Sequence, residues 1–138
     1  MSEYLELRTS AALNEIAVLN ELLEVAARAL RIDPALRHDL TLAVAELVAN
    51  VVEHELKGGP GEVTVRLERR PGELLLTLNS AGPPFDLDAI LASAAARDPL
   101  AELDGSGLGL PLLAALFDGI EQSWTEGEGN RIALRRKR

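Results

Sequence analysis

Apolar side chains recur along the N-terminal part of the chain with two different periods. Residues 4–9 alternate apolar and polar side chains, which predicts a half-buried strand. Helical spacing follows, with apolar residues at Ile16, Leu19, Leu22, Leu23, Ala26 and Leu30. We therefore expect a helix over 13–30 that has Ser10 or Asn14 as its N-cap.

The segment after this helix predicts a second, longer one. Arg31-Ile32-Asp33-Pro34 interrupts the first pattern, and Pro34 suits an opening helical turn that Asp33 caps. The second helix is expected over 35–56 and ends before the turn-forming run at 57–61. One of its faces is expected to lie in the core, and that face carries Val44, Leu47, Val48, Val51 and Val52.

The remainder of the chain predicts two hairpins with helices between them. The hairpin strands are expected over 62–68 and 73–78, and again over 120–125 and 130–135. Between the hairpins we expect a rigid loop over 79–84, a short Ala-rich helix over 86–96, an irregular segment over 97–105 and a buried helix over 108–117.

This order of elements predicts the fold class. Because the strands come mostly in adjacent pairs, the sheet is expected to be mixed but mainly antiparallel, with the helices on one face. That arrangement is a two-layer α/β sandwich of the α+β class. A length of 138 residues suits one domain, which we assign to 1–138. Since only 3% of the residues are aromatic, the core is expected to consist of Leu, Val, Ile and Ala.

Charge and composition narrow the function. A formal net charge of −8 has the wrong sign for binding nucleic acid. The basic run at 135–138 is expected to be a solvated tail. The chain has no cysteine, no apolar stretch of the roughly 20 residues that span a membrane, and no secretion signal at its start. We therefore expect a cytoplasmic protein that binds neither membranes nor nucleic acid.

Three segments carry candidate chemistry, and the first lies on the second predicted helix. Glu46, Asn50 and His54 are four residues apart and therefore share one helical stripe. An Asn oxygen can ligand Mg²⁺, and a nearby Glu can deprotonate a nucleophile. The same stripe is also compatible with an ordinary solvated face, on which His54 only complements the helix dipole.

The other two segments are rich in glycine. The run Gly105-Ser106-Gly107-Leu108-Gly109-Leu110 opens the buried helix, where unpaired backbone amides favour phosphate. It does not follow a strand, as a dinucleotide-binding loop does. The loop Ser80-Ala81-Gly82-Pro83-Pro84-Phe85-Asp86 does follow a strand, and Gly82 permits a ligand to approach closely. Either segment by itself is also compatible with a plain connection.

Taken in order, the three segments resemble the N, G1 and G2 boxes of the ATPase fold shared by gyrase, histidine kinases and MutL, the Bergerat fold. The chain is most similar to RsbW-type serine kinases, which double as anti-sigma factors. The N box, Glu46-Leu-Val-Ala-Asn50-Val-Val-Glu-His54, matches the pattern E-x-x-x-N-x-x-x-H, and the G2 box reads Ser106-Gly-Leu-Gly-Leu110. The resemblance covers nearly the whole chain.

The resemblance implies ATP and Mg²⁺ as cofactors. Glu46 would take a proton from a protein serine, and Asn50 would ligand the Mg²⁺ that bridges the ATP phosphates. Residues 97–106 would form a lid over the ATP. The other positions implied in cofactor binding are His54, Ser80, Gly82, Phe85, Ser106, Gly107, Leu108, Gly109, Leu110 and Asn130. In the family the serine lies on an antagonist with a STAS fold, and a kinase homodimer binds a sigma factor.

Three positions depart from the family pattern. Ser80 stands where the family has an Asp that accepts a hydrogen bond from the adenine amino group, and Asn130 stands where it has a Thr. Gly105, preceded by Asp104, stands where many members carry a basic residue. Neutral side chains give weaker hydrogen bonds than a carboxylate does, so ATP contacts are expected to weaken. Asn79 or Asn130 could supply a compensating amide.

Three functions therefore remain open. The first is an RsbW-like regulator that binds ATP, phosphorylates a serine of a STAS-domain partner and/or binds a sigma factor, as a homodimer. The second is a non-catalytic protein-binding module with a degenerate pocket. The third is a stand-alone ATPase domain that serves a two-component system. Glu46 and Asn50 favour the enzyme, whereas Ser80, Asn130 and Gly105 favour the binding module.

Overall fold

The computed structural model describes residues 3–56, 60–84 and 109–137, without the side chains of residues 54, 55 and 109–112. The strands in these ranges are β1 (Glu3–Ser10), β2 (Glu62–Arg70), β3 (Glu73–Ser80), β4 (Gly119–Thr125) and β5 (Gly129–Lys137). The helices are α1 (Ile16–Ala29), α2 (Pro34–Asn50) and α3 (Gly109–Leu116). A 3₁₀ turn at Leu13–Glu15 precedes α1, and a π-helical segment at Val51–Glu55 follows α2.

The five described strands form one sheet in the order β1-β2-β3-β5-β4. All four neighbouring pairs of these strands are antiparallel, so no parallel pair occurs among them. Both predicted hairpins are confirmed, and β2 runs two residues further than expected, so that only Pro71 and Gly72 turn the chain. Gly72 has a φ of +81°, which glycine adopts without steric cost.

The core lies between the helices and one face of the sheet. Side chains on that face alternate with those on the other face, as the period of two in a strand requires. The predicted aliphatic core is confirmed, with Phe117 as its aromatic member. The predicted apolar face of α2 is also buried, except that Val52 is only partly covered. Leu22 departs from its helical pattern, because it is 46% exposed on α1.

The two predicted helix caps have opposite outcomes. Asp33 caps α2 as expected, because its Oδ1 accepts a hydrogen bond from the backbone N–H of Ala35 at 3.0 Å. The predicted cap of α1 is wrong. Ser10 is held in the sheet opposite Glu62, and Asn14 lies inside the 3₁₀ turn. The chain enters α1 through that turn without a side-chain cap.

The basic run at the end of the chain is part of the sheet, so the prediction of a solvated tail is wrong for residues 135–137. β5 continues through Lys137. Arg136 Nη1 lies 2.8 Å from Asp39 Oδ2 and donates to the Leu116 carbonyl at 2.7 Å. Arg135 Nη2 lies 2.7 Å from Glu121 Oε1. These contacts tie β5 to α2, to the end of α3 and to β4.

Several expectations fall on other parts of the chain. The turn residues 57–59, the Ala-rich helix over 86–96 and the irregular segment over 97–105 lie outside the described residues. The assignment of 1–138 to one domain stays a prediction. In the ranges that the structure describes, no helix combines the length and the apolar character needed to cross a bilayer.

Candidate functional site

The first candidate segment lies on the last two turns of α2. Glu46 and Asn50 are one helical turn apart and both are partly buried at the margin of the core face. The Nδ2 of Asn50 donates to the backbone carbonyl of Glu46 at 2.7 Å. This bond fixes the rotation of the Asn50 amide and leaves its Oδ1 as the acceptor. A neutral oxygen of this kind is a ligand that Mg²⁺ accepts.

The carboxyl group of Glu46 lies in surroundings that disfavour its charge. Burial raises the pKa of Glu46 above its ordinary value near 4.5, and the negative charge of Glu53 raises that pKa further. Among the described residues, Glu46 has no ion pair. A carboxylate with a raised pKa accepts a proton more readily near neutral pH than an ordinary surface Glu does.

The π-helical segment breaks the predicted stripe beyond Asn50. The N–H of Leu56 bonds to the carbonyl of Val51 at 2.9 Å, which is an i→i−5 bond in place of the α-helical i→i−4 bond. The regular spacing therefore holds from Glu46 to Asn50 and not onward to His54. This corrects the prediction of one continuous stripe. The side chain of His54 itself lies outside the described part of the molecule.

The second candidate segment is the end of β3 and the loop at residues 81–84, which we call the G1 loop. Ser80 is 3% exposed, and Asn130 on β5 pairs opposite it with 1% exposure. Asn130 Nδ2 donates to the Pro83 carbonyl at 2.7 Å, which ties the loop to β5. Two of the three positions that depart from the family pattern are thus direct neighbours across two strands.

The last hairpin adds two more contacts to this corner. Gln122 Nε2 donates to Asn130 Oδ1 at 3.3 Å, so both ends of the Asn130 amide are engaged. Trp124 Nε1 donates to the Gly82 carbonyl at 3.3 Å. The Asn130 amide therefore holds the G1 loop in place, and the expectation that it offers a compensating amide to adenine is not supported.

Asn79 does not offer that amide either, because it belongs to the other face of the sheet. It precedes Ser80 in β3, and adjacent strand residues point to opposite faces. Asn79 lines a groove of about 630 Å³ on the face away from the helices, together with Arg8, Thr64 and Arg131. The predicted loop began at residue 79, so the strand alternation that separates these side chains was not anticipated.

Gly129 is a functional neighbour that the sequence interpretation missed. It has a φ of +85°, and a Cβ atom there would lie 2.1 Å from the Ser80 carbonyl oxygen. Only glycine permits this close approach of β5 to the end of β3. Gln122 and Trp124 were missed too. The register of the predicted hairpin, which brings Trp124 opposite Asn130, was the available signal.

The third candidate segment is described only in part. Gly109 begins α3 and Leu110 follows it, so the glycine run does lead into a helix as expected. α2 packs against both α3 and β3, which brings the elements of the three segments together. Phe85, Ser106, Gly107 and Leu108 lie outside the described residues, so their predicted roles stay predictions.

The described residues include no group of three or more His, Cys, Asp or Glu side chains placed to hold a metal ion. A magnesium ion needs no such cage when it is held by one or two protein oxygens together with substrate phosphates and water. Asn50 Oδ1 fits that kind of site. The residues present are therefore compatible with a metal that arrives with a phosphate ligand.

Comparisons with known proteins agree with this geometry. A family model described as the histidine kinase-like ATPase domain matches residues 9–136. Serine-protein kinase RsbW of Bacillus cereus is 29% identical over 92 residues, which cover 64% of this chain and 58% of that protein. Serine-protein kinase RsbW of Halalkalibacterium halodurans is 34% identical over 93 residues, with 64% and 56% covered. The chain thus matches less than two thirds of the length of these relatives.

A solved structure gives the same fold. A chain in the crystal structure of the SiaB–SiaC complex from Pseudomonas aeruginosa aligns over 97% of this chain and 88% of that chain, with a TM-score of 0.62 and 21% sequence identity. The resemblance drawn from the three boxes is confirmed, as are the α+β class and the Bergerat architecture. Since the family model spans nearly the whole sequence, this chain belongs to the histidine kinase-like ATPase domain family.

Proposed function

We propose that this protein is an ATP-binding regulator that works like an RsbW-type anti-sigma-factor kinase. In this proposal it transfers the γ-phosphate of ATP to a serine of a STAS-domain antagonist, binds a sigma factor, or does both. The observation that carries the proposal is the pair Glu46 and Asn50 on one turn of α2, in a chain of the histidine kinase-like ATPase family.

Asn50 would hold the metal end of the nucleotide through its Oδ1, while its Nδ2 stays bonded to the Glu46 carbonyl. Bound with ATP, Mg²⁺ would neutralise the charge of the phosphates. The bond to Glu46 supports this role because it orients the oxygen before any ligand arrives. Preorientation of this kind lowers the entropy lost on binding.

Glu46 would act as the general base. In the transfer, the serine oxygen forms a bond to the γ-phosphorus, ADP leaves, and the carboxylate of Glu46 takes the hydroxyl proton. The raised pKa of Glu46 supports this role, because a base is most effective when its pKa approaches the working pH. Burial and the charge of Glu53 are the causes of that shift.

The base end of the site supports a second candidate, a non-catalytic protein-binding module with a weak nucleotide pocket. Asn130 already satisfies the Pro83 carbonyl and the Gln122 amide. Ser80 offers no carboxylate to an adenine amino group. Two family contacts to adenine have therefore changed in one place, and regulation through protein contacts alone would not need them.

The partners and the location in the cell belong to the same proposal. The relatives that match are named serine-protein kinases, and the structural neighbour was solved as the SiaB–SiaC complex. We infer a protein partner of the STAS or sigma-factor class, a homodimer, and action in the cytoplasm. The net charge of −8 suits basic segments of a protein partner.

Titration calorimetry with ATP tests the proposal most directly. The wild type is expected to bind ATP in Mg²⁺ and to lose most of that affinity in EDTA. Asn50→Ala is expected to weaken Mg²⁺-dependent binding by at least about tenfold, since it removes a metal ligand. The control is Asn14→Ala, an exposed asparagine in the 3₁₀ turn, which should leave the affinity unchanged.

Two results would count against the proposal. If Asn50→Ala binds Mg·ATP as tightly as the wild type, Asn50 holds no metal. If the wild type shows no heat with ATP up to millimolar concentration, the non-catalytic module becomes the better description. Circular dichroism of each variant shows whether a loss of binding reflects a loss of fold.

A further inference from the structure

The tryptophan of this chain lies beside the proposed base site and is exposed. Trp124 is the one tryptophan in the sequence, and it lies on β4 at the edge of the sheet with 44% exposure. Neighbouring polar residues show the opposite pattern, since Ser80 and Asn130 are almost fully buried. A half-exposed indole next to buried polar groups marks a surface that is suited to a ligand with an apolar face.

Three side chains of the corner form one row on the helix-facing side of the sheet. Ser80 pairs with Asn130, and Asn130 pairs with Trp124. Because neighbouring strands lie about 4.8 Å apart, the row extends for about 10 Å across β3, β5 and β4. Ser80 and Asn130 are almost fully buried, so Trp124 is the member of the row that an approaching ligand can contact.

The orientation of the indole is fixed before any ligand binds. Its Nε1 donates to the carbonyl of Gly82 at 3.3 Å, which holds the ring against the G1 loop. Gln122, two residues earlier on the same strand, holds Asn130 in turn. A ring that is already held loses little conformational entropy when a ligand stacks on it.

We propose that Trp124 is the platform on which the purine base of a nucleoside triphosphate stacks. The inference rests on the proposed nucleotide binding and deepens it, because it names the ligand class that this corner selects. Stacking on the indole face would hold the base in place of the charge-assisted hydrogen bond that a carboxylate gives and that Ser80 cannot give. Since every purine presents a π-face, stacking discriminates little between adenine and guanine. ATP and GTP are therefore expected to bind with affinities within about threefold of each other.

The test compares two substitutions that separate the ring from its N–H group. Trp124→Phe keeps an aromatic ring and removes the donor to Gly82, whereas Trp124→Gln keeps a donor and removes the ring. Affinities for Mg·ATP and for Mg·tripolyphosphate, which has no base, are measured by calorimetry on the full chain. Trp124→Gln should bind ATP about 10- to 100-fold more weakly, and Trp124→Phe should stay within about threefold of the wild type. Tripolyphosphate affinity should be equal in all three proteins.

A second readout comes from the wild type alone. Because Trp124 is the only source of tryptophan fluorescence, ATP and GTP should quench its emission and tripolyphosphate should not.

Each other outcome overturns the inference in a recognisable way. If Trp124→Gln binds ATP as the wild type does, stacking is wrong while the proposed function stands. If Trp124→Phe loses as much affinity as Trp124→Gln, an aromatic ring alone does not hold the base, and the proposed platform is wrong. If both ligands lose affinity together, Trp124 only supports the fold. If the wild type binds neither ATP nor tripolyphosphate, the proposed function fails and the platform fails with it.

Discussion

The two ends of the proposed nucleotide site differ in how much of their polar chemistry is already used inside the protein. At the α2 end, the Nδ2 of Asn50 donates to a local backbone carbonyl and the Oδ1 remains available as an acceptor. Glu46 has no ion pair among the described residues. At the sheet corner, both ends of the Asn130 amide are engaged, and the residue is 1% exposed. The polar groups of the first region are available to a ligand, whereas the buried polar groups of the second are used in packing.

Two of the three departures from the family pattern, Ser80 and Asn130, lie at the end where the polar groups are already engaged. A typical internal hydrogen bond contributes about 0.5–1.5 kcal/mol, and leaving a buried partner unsatisfied costs about 1–3 kcal/mol. Recruiting Asn130 for adenine would break bonds that hold the G1 loop, so the residue stabilises the loop instead. In the part of the chain that the structure describes, no comparable bond restrains the oxygen of Asn50. Substitutions at either end test whether the two regions differ in this way.

Removing the proposed base should give the largest effect. With a STAS-domain partner as substrate, Glu46→Gln is expected to lower the rate of phosphate transfer by about 10²–10⁴-fold, the usual contribution of general base catalysis. Affinity for Mg·ATP should change by less than about threefold, because proton transfer is not part of binding. The rate is measured as the appearance of phosphoserine on the partner.

Glu53→Gln is the matched control for that experiment, since Glu53 is an exposed acid close enough to influence Glu46. It removes the same charge and should retain most of the transfer rate. Equal rates for Glu46→Gln and the wild type would remove the functional contrast between the two ends of the site. The α2 residues would then be part of a protein-binding surface only.

Adding a methyl group at Gly129 should show how tightly the sheet corner is packed. A Cβ there would lie 2.1 Å from Ser80 O and 2.7 Å from Ala81 Cα, so the end of β3 must shift. Gly129→Ala is therefore expected to lower the free energy of unfolding by about 2–4 kcal/mol, combining backbone strain with overpacking.

Gly127→Ala separates those two causes. Gly127 has a φ of +88°, close to the value at Gly129, but a Cβ there meets nothing within 4 Å. Its alanine variant should lose only the conformational part, about 1 kcal/mol. Urea denaturation of the two variants measures the difference. If both variants lose the same stability, the corner tolerates movement and is not the closed region that the buried contacts indicate.

A carboxylate at position 80, as in the family, should strengthen the binding of adenine at the sheet corner. Ser80→Asp is expected to raise the affinity for ATP by about tenfold, because a charge-assisted hydrogen bond to the adenine amino group replaces a neutral one. Ser80→Asn has a similar volume without the charge and should give a smaller gain. Calorimetry with ATP and GTP measures both variants. A gain for ATP that GTP does not share would show that the base lies at Ser80.

The fold was predictable because its signals are local. Alternation and helical spacing define the strands and helices, and Asp33 followed by Pro34 predicts the start of α2. The features that were missed depend on distant pairs. Asn130 bonds to Pro83, which is 47 residues away, and the register between β3 and β5 decides that contact. The π-helical segment has no local sequence signal of comparable strength, so the position of His54 relative to Asn50 could not be predicted.

Two glutamates have opposite pKa shifts: Glu46 lies in the site region, and Glu68 lies on the outer face of the sheet. Glu68 is buried on β2, and hydrogen bonds from Arg70 and from Arg66, the latter at 3.0 Å, hold its pKa below the ordinary value despite its burial. Burial and Glu53 raise the pKa of Glu46 instead. The folded protein therefore favours the charged form of Glu68, whereas the charge of Glu46 lowers the stability of the fold.

These shifts predict opposite changes in stability, and both changes should be small. A lowered folded pKa contributes stability above the unfolded pKa, and that contribution is lost as the pH falls through the folded pKa. Glu68→Gln should therefore lower the Tm by a few degrees at pH 7, and the difference should shrink as the pH falls below 4.5. A raised folded pKa costs stability above the unfolded pKa, so Glu46→Gln should raise the Tm slightly at pH 7 and not at pH 4. Thermal melts followed by circular dichroism at both pH values measure this. A lower Tm for Glu46→Gln at pH 7 would mean that Glu46 is a structural residue, and the α2 end would then serve the fold in the same way that the sheet corner does.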